Sequence, residues 1–228
     1  MTEEMRISAA DAVKMISDGA RVMVGGFGNV GNPEDLIEAL SESGLTGLTI
    51  ISNDLGSPGI GLGKLLENKQ ISSLIGNYYN WNPQVAEQYN NKSIDVKLVP
   101  QGTFAEAIRA AGVGVPAFYT PTSVGTPLAE GKEVRSFGGT ACVMEEAIHA
   151  DVALVRAYKA DTLGNLIYYK TACNFNPLMA MAAKLTIAEV DEIVPAGELD
   201  PHLITTPHLF VNKIVVKEEP CVRSSKNH

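Results

Sequence analysis

Short apolar segments alternate with helix-forming segments through the first half of the chain, and this alternation most constrains the fold. Residues 22–24, 48–51 and 96–99 are mostly apolar runs of strand length. The segments between them carry apolar residues at helical spacing, and Ser8 has the chemistry of a helix N-cap. Apolar strands joined by helices predict parallel pairing, because each strand must be buried on both faces. We therefore predict an α/β fold with an open, mostly parallel sheet and helices on both of its faces.

The second half of the chain is less regular, but no boundary between domains is visible in it. Gly138-Gly139 lies between two strand-like segments and predicts a hairpin turn. Further strands are predicted at residues 152–155, 166–169, 185–190 and 209–216, and a helix at 177–184. Because no linker, repeat or low-complexity segment interrupts the chain, we predict one domain over residues 1–220. The polar segment 221–228 is predicted to be a disordered tail.

Composition and charge exclude several classes of protein. No apolar run approaches the roughly 18 residues of a transmembrane helix, and the charged first residues do not resemble a secretory signal. A formal net charge of −8 opposes broad nucleic-acid binding, which needs a basic face. The three cysteines are odd in number and widely spaced, which is typical of reduced thiols in the cytoplasm. The four histidines lack the spacing of metal ligands, so we expect no metal site.

A glycine-rich segment, residues 25–31, lies between a predicted strand and a predicted helix. Asn32 is expected to cap that helix, with Pro33 at its first position. Open α/β sheets bind ligands at the carboxyl ends of their strands, and the free N–H groups of a helix start attract anions. The segment is therefore expected to hold a ligand that bears phosphate groups.

The same segment also fits a different class of enzyme. Gly26, Gly28 and Gly31 match the dinucleotide fingerprint G-x-G-x-x-G, and Asp54 stands where such a site places its ribose partner. The match is weak, because the third glycine of the fingerprint packs inside the helix, whereas Gly31 lies before the predicted cap. A nucleotide-dependent dehydrogenase and a non-catalytic module that binds CoA or a nucleotide remain alternative hypotheses.

A second polar segment follows the apolar run at residues 96–99. Gln101 lies just past that run, and Thr103 has the position of a helix cap, with Glu106 three residues later. A glutamine amide at this place can donate a hydrogen bond to a carbonyl oxygen that becomes tetrahedral, which is the chemistry of an oxyanion hole. The alternative is a loop glutamine bonded to the backbone. Residues 116–126 are expected to form a structured loop, and residues 174–177 to serve as a cap or to bind a ligand.

An ordered set of motifs resembles the alpha (A-type) subunit of the family I CoA-transferases. Gly25-Gly26-Phe27 with Gly31 and Pro33 is the first of them. The others follow in the family's order: Ile51-Ser52-Asn53-Asp54, Pro100-Gln101-Gly102-Thr103, residues 116–126, Lys159-Ala160-Asp161 with Gly164-Asn165, and Asn174-Phe175-Asn176-Pro177. The similarity extends from about residue 6 to residue 217. It implies the α/β fold of CoA-transferases and the activity of a 3-oxoacid CoA-transferase.

The resemblance also implies a ping-pong mechanism through a glutamyl-CoA thioester. In the family, the glutamate belongs to a Ser-Glu-Asn-Gly motif of the beta subunit, and this chain lacks the motif. Ser41-Glu42-Ser43-Gly44 is a near match, but its place at a predicted helix end indicates a solvated carboxylate. The chain is therefore expected to work with a separate beta subunit in an α2β2 assembly. Its substrates would be coenzyme A, acyl-CoA and a short-chain carboxylate or 3-oxo acid, with no permanently bound cofactor.

Roles for individual residues follow from the resemblance alone. It assigns oxyanion stabilisation to Gln101 and places Asn53 near the acyl or carboxylate group. It assigns coenzyme A binding to the loop residues Gly25, Gly26, Phe27, Gly28, Asn29, Val30 and Gly31. Asn80-Trp81-Asn82 and residues 108–114 depart from the family's pattern. These departures leave open whether acetate, butyrate, succinate or 3-oxoadipate is used.

Overall fold

A computed structural model describes residues 5–218, so the predicted tail at 221–228 lies outside the described residues. The helices are α1 (Ala9–Val13), α2 (Glu34–Glu42), α3 (Leu62–Glu67), α4 (Pro83–Asn90), α5 (Gln101–Gly112) and α6 (Asn176–Met181). The strands are β1 (Arg21–Val24), β2 (Leu48–Ile51), β3 (Ile71–Gly76), β4 (Asp95–Leu98), β5 (Ala117–Thr120), β6 (Val134–Phe137), β7 (Thr140–Glu146), β8 (Ala150–Arg156), β9 (Lys159–Asp161), β10 (Leu166–Ile167), β11 (Ala183–Val190), β12 (Glu192–Val194) and β13 (Lys213–Val216). Within residues 5–218, no helix combines the length and hydropathy that crossing a bilayer requires.

The central sheet has seven strands in the order β13-β11-β8-β1-β2-β3-β4, and every pairing in it is parallel. Two three-stranded sheets, β10-β9-β12 and β5-β7-β6, flank it. The predicted open, parallel sheet is therefore confirmed. The predicted hairpin is also present, since Gly138 and Gly139 join β6 to the antiparallel β7 with φ angles of 59° and 84°.

Helices cover both faces of the central sheet, as predicted. The side chains of β1 alternate between two cores. Val22 and Val24 pack in one core with Leu36 of α2, whereas Met23 packs in the other with Phe104 of α5. All five side chains are buried. Because each such side chain contributes roughly 1.5–3 kcal/mol when fully buried, the two layers hold the sheet from both sides.

Two predicted helix caps are wrong. Asn32 does not cap α2, which begins directly after Pro33, and its Nδ2 instead donates to the carbonyl oxygen of Gly28 at 2.7 Å. Thr103 does not cap α5, because the helix begins after Pro100 and buries Thr103 in its first turn. Both helices start beside a proline, whose fixed φ suits helix entry. The polar side chains that resembled caps are therefore available for other contacts.

Other element boundaries differ by a few residues. The Ser8 cap is confirmed, because its Oγ accepts the N–H of Asp11 at 3.1 Å. The segment 116–126, expected to be a loop, begins with β5, which pairs with β7. The helix predicted at 177–184 ends at Met181, because the chain from Ala183 onward pairs with β8 and β13.

Candidate functional site

The central strands end at one edge of the sheet, and the predicted site residues follow those ends. β1 leads into Gly25, β2 leads into Asn53 and β4 leads into Gln101. The loop after β3 is bonded to the same edge, because the N–H groups of Asn77 and Tyr78 donate to the carbonyl oxygen of Asn53 at 3.3 and 3.1 Å. This is the carboxyl edge of the sheet, where open α/β folds bind ligands.

The glycine loop, residues 25–31, makes a tight turn at this edge. The backbone groups of Phe27 and Val30 exchange two hydrogen bonds of 3.0 and 3.1 Å, and both side chains remain partly exposed. Three N–H groups of the loop have no acceptor among residues 5–218, namely those of Gly26, Asn29 and Gly31. Backbone donors that the protein does not use can bind polar groups of a ligand.

Two asparagines at the start of α6, Asn174 and Asn176, hold the glycine loop in place. Asn176 is fully buried, and its Nδ2 donates to the carbonyl oxygen of Gly31 at 2.9 Å. Asn174 Nδ2 donates to the carbonyl oxygen of Val30 at the same distance. A Cβ atom on Gly25 would lie 1.8 Å from Asn176 Oδ1, so only glycine fits there. These asparagines therefore position the loop, and neither caps α6.

The start of α2 is already occupied by a carboxylate of the protein. Glu189 of β11 has no exposed surface, and its Oε2 accepts the N–H groups of Asp35 and Leu36 at 2.8 and 3.1 Å. Burial raises the pKa of Glu189 to about 7, and the guanidinium of Arg156, 3.7 Å from Oε1, opposes this increase. The helix N–H groups that we expected to attract a ligand are thus used inside the fold.

Asp54 joins the glycine loop to the end of β2. Its Oδ2 accepts the N–H of Gly28 and the Nδ2 hydrogen of Asn53, both at 2.8 Å, and its Oδ1 accepts the N–H of Gly56 at 3.0 Å. A buried carboxylate that already binds three donors is poorly placed to bind the hydroxyl groups of a ribose. The structure therefore gives no support to the dinucleotide hypothesis.

Gln101 and Asn53 are in direct contact. Gln101 Nε2 donates to Asn53 Oδ1 at 3.0 Å. Both residues line a cavity of about 350 Å³, and Phe27 of the glycine loop contributes to the same cavity. The structure thus brings the three sequence-predicted parts of the site to one place.

An aromatic wall on this cavity was not predicted from the sequence. The rings of Tyr78 and Trp81 meet edge to face, with centroids 5.1 Å apart and planes at 78°. Both side chains line the cavity, and Trp81 is 51% exposed. A Cβ atom on Gly28 would lie 3.2 Å from the indole ring, so the tryptophan packs over the glycine loop. The sequence marked residues 80–82 only as a departure from the family's pattern.

Charge distribution separates this cavity from its neighbours. In the part of the chain that the structure describes, no charged side chain lines it. Cavities of about 550 and 210 Å³ flank the glycine loop, and the cations that line them are all ion-paired: Lys64 with Glu38, Arg156 with Asp191, and Lys217 with Glu34. Among residues 5–218, no three His, Cys, Asp or Glu side chains come together where they could hold a metal ion.

The sequence of this chain is similar to those of known coenzyme A transferases. The chain matches the family described as Coenzyme A transferase over residues 6–217. It is 52% identical over 209 residues to the alpha subunit of the probable succinyl-CoA:3-ketoacid coenzyme A transferase of Bacillus subtilis (strain 168), covering 92% of this chain and 88% of that protein. It is 50% identical over 208 residues to the alpha subunit of the succinyl-CoA:3-ketoacid coenzyme A transferase of Helicobacter pylori (strain J99), covering 91% and 90%.

Solved structures share the fold at lower sequence identity. The acyl-CoA transferase YdiF of Escherichia coli O157:H7, in a thioester complex with CoA, aligns with a TM-score of 0.84 and 22% identity, covering 93% of this chain and 49% of that one. The chain thus spans about half of the YdiF polypeptide. Glutaconate coenzyme A-transferase from Acidaminococcus fermentans aligns with a TM-score of 0.81 and 19% identity, covering 93% and 75%. Given the match over residues 6–217 and relatives at about half identity, the chain belongs to the coenzyme A transferase family.

Proposed function

We propose that this chain is the alpha subunit of a 3-oxoacid CoA-transferase, which moves CoA between an acyl-CoA and a carboxylic acid of the acetoacetate type. The observation that carries the proposal is the convergence of Gln101, Asn53 and Phe27 on one uncharged cavity at the carboxyl edge of the sheet. The names of the curated relatives support a 3-oxo acid as one substrate and a second type of polypeptide as the partner.

The nucleophilic glutamate is assigned to the beta subunit. Among residues 5–218, no glutamate lines the cavity. Glu42, in the near match to the family motif, is exposed at the last position of α2. Because α2 starts beside the glycine loop and has nine residues, Glu42 lies roughly 13 Å farther along the helix. This chain therefore supplies hydrogen-bond donors, and the partner supplies the attacking carboxylate.

The reaction follows from these groups in two symmetrical halves. The partner's carboxylate attacks the thioester carbonyl carbon, and the carbonyl oxygen becomes an oxyanion that accepts a hydrogen bond from Gln101 Nε2. The C–S bond then breaks, which releases CoA thiolate and leaves an acyl anhydride. The thiolate attacks the glutamyl carbonyl, so the first carboxylate leaves and a glutamyl-CoA thioester remains. The acceptor carboxylate then runs the same steps in reverse.

The remaining site residues hold the substrates. The glycine loop, residues 25–31, is assigned to CoA, and the free N–H groups of Gly26, Asn29 and Gly31 support that role. Asn53 is assigned to the acyl or carboxylate group, next to Gln101. We further propose an α2β2 assembly in the cytoplasm. The free thiols of Cys142 and Cys173 are compatible with a reducing compartment.

Mass spectrometry of covalent adducts tests this division of labour. The chain is incubated with acyl-CoA alone and together with the beta subunit. We expect an adduct on a glutamate of the beta subunit, no adduct on this chain, and CoA transfer only when both polypeptides are present. An adduct on Glu42, or tight NADH binding by this chain alone, would contradict the proposal. Assaying a panel of carboxylates against acetoacetyl-CoA then identifies the acceptor.

A further inference from the structure

We propose that Asp54 is a positioning residue that determines which end of the Gln101 amide faces the reacting carbonyl. The inference rests on the proposed function, because it assigns a task within the oxyanion site. Asp54 lies just past β2, and its carboxylate binds the N–H groups of Gly28 and Gly56 as well as Asn53 Nδ2. One buried carboxylate thereby connects the glycine loop to the chain of amides that ends at Gln101.

The direction of that chain follows from donor and acceptor chemistry. An amide side chain has an accepting end and a donating end of similar shape, whereas a carboxylate only accepts. Asn53 must therefore turn Nδ2 toward Asp54, at 2.8 Å, which leaves its Oδ1 facing Gln101. Because an oxygen acceptor needs a donor, Gln101 turns Nε2 toward Asn53, at 3.0 Å. The second N–H of the same nitrogen is then left for an oxyanion in the cavity.

Gln101 would not hold this orientation by itself. It is exposed at the first residue of α5, where water can satisfy either end of its amide. In the reversed orientation, its carbonyl oxygen would face the developing oxyanion and repel it. Asn53 and Asp54 are only 2% and 7% exposed, so water competes weakly for the contacts that set the direction. An oxyanion hole is effective only when its donors are oriented in advance.

The test is a double-mutant cycle in the enzyme assembled with its beta subunit, with kcat for acyl transfer as the readout. Gln101→Ala is expected to lower kcat by roughly 10²–10³-fold, and Asp54→Ala by roughly 10–100-fold, because the amide is then present but misdirected. In the Gln101→Ala background, Asp54→Ala is expected to change kcat by less than about threefold, since no amide is left to direct. Fully additive effects would overturn the proposal.

Two further substitutions at Asp54 separate direction from simple support of the loop. Asp54→Ser shortens the side chain by one atom, and its hydroxyl donates as well as accepts, so it does not fix the orientation of Asn53. Asp54→Ser is expected to lower kcat as much as Asp54→Ala does, and to have little further effect in the Gln101→Ala background. It therefore also carries the test if Asp54→Ala fails to assemble with the beta subunit. Asp54→Asn keeps an oxygen that the N–H of Gly28 holds in place, and it should restore kcat to within about tenfold of wild type. A serine variant with full kcat would count against the proposal.

Asp161 provides the matched control. It is also buried, and its Oδ1 accepts three successive backbone N–H groups of the turn that joins β9 to β10, in the separate β10-β9-β12 sheet. Asp161→Ala is expected to change kcat by the same factor with and without Gln101. A loss below about threefold for Gln101→Ala would overturn both the oxyanion role and the inference about Asp54. If Gln101→Ala shows the expected loss of kcat but the effect of Asp54→Ala simply adds to it, only the inference about Asp54 is overturned.

Discussion

Replacing Glu189 by glutamine is predicted to remove a pH-dependent cost to the stability of the fold. The side chain has no exposed surface, and its Oε2 accepts the N–H groups of Asp35 and Leu36 at the start of α2. Burial raises the pKa of Glu189 to about 7, and the nearby carboxylate of Asp35 adds to the increase. The positive charges of Arg156 and Lys217 and the hydrogen bond from Leu36 lower the pKa. The folded protein therefore holds a proton that the unfolded chain releases.

The sign and size of the effect follow from this pKa. Because the folded-state pKa lies above the ordinary value, the stabilising contribution is complete below pH 4.5 and is lost as the pH rises through about 7. The gap between 4.5 and about 7 corresponds to about 3 kcal/mol, at roughly 1.4 kcal/mol per pH unit. Glutamine keeps an oxygen for the two N–H groups of α2 and does not titrate.

Urea unfolding across this pH range measures the effect. Relative to Glu189→Gln, the wild-type chain should lose about 3 kcal/mol of unfolding free energy between about pH 4.5 and pH 8. Glu42→Gln, on an exposed carboxylate at the other end of α2, is the control and should run parallel to wild type. Relative to Glu189→Gln, Glu189→Ala should lose roughly 1–3 kcal/mol of unfolding free energy at every pH, because the buried N–H of Leu36 loses its acceptor. If the difference in unfolding free energy between wild type and Glu189→Gln does not change with pH, the reasoning is refuted.

Three other substitutions address the site itself. Gln101→Ala should lower kcat of the assembled enzyme by roughly 10²–10³-fold, whereas Gln84→Ala, outside the cavity, should leave it unchanged in steady-state assays. Trp81→Ala should reduce kcat/KM for butyryl-CoA by roughly 10–100-fold and less for acetyl-CoA, because a longer chain loses more apolar contact. Tyr89→Ala, a similarly exposed aromatic outside that cavity, should not distinguish the two donors. Asn176→Ala should lower Tm by roughly 2–4 °C for each kcal/mol of stability lost and raise KM for the acyl-CoA, because it frees the glycine loop.

Much of the fold could be predicted because burial on two faces leaves a periodic signature. Val22, Met23 and Val24 are all apolar, and the structure sends them alternately to opposite cores. The caps at Asn32 and Thr103 could not be predicted by the same logic. A polar residue before a helix can bond the helix or something distant in the sequence, and Asn32 bonds the carbonyl oxygen of Gly28. Local propensity does not resolve that competition.

The location of the site could be predicted from the sequence, but most of the hydrogen bonds within it could not. Gln101, Asn53 and the glycine loop follow strands of one parallel sheet, so topology alone brings them to one edge. The spacing of Asp54 suggested only a ribose partner, because nothing in the sequence showed that three N–H groups would surround it. Glu189 did leave a signal, a single acid in the apolar run at residues 185–190, but its partner 153 residues away in the chain could not be identified.

The charges around the glycine loop decide which part of CoA it suits. Asp54 binds the N–H of Gly28 on one side, and Glu189 binds the first N–H groups of α2 on the other. Each carboxylate uses N–H donors that a phosphate would otherwise bind. The cations that line the flanking cavities are already ion-paired. Among the described residues, no charged side chain lines the cavity beside Phe27 and Trp81, so we propose that the loop takes the neutral thioester end of CoA rather than its phosphates. That end is the one that must lie beside Gln101 for the reaction to proceed.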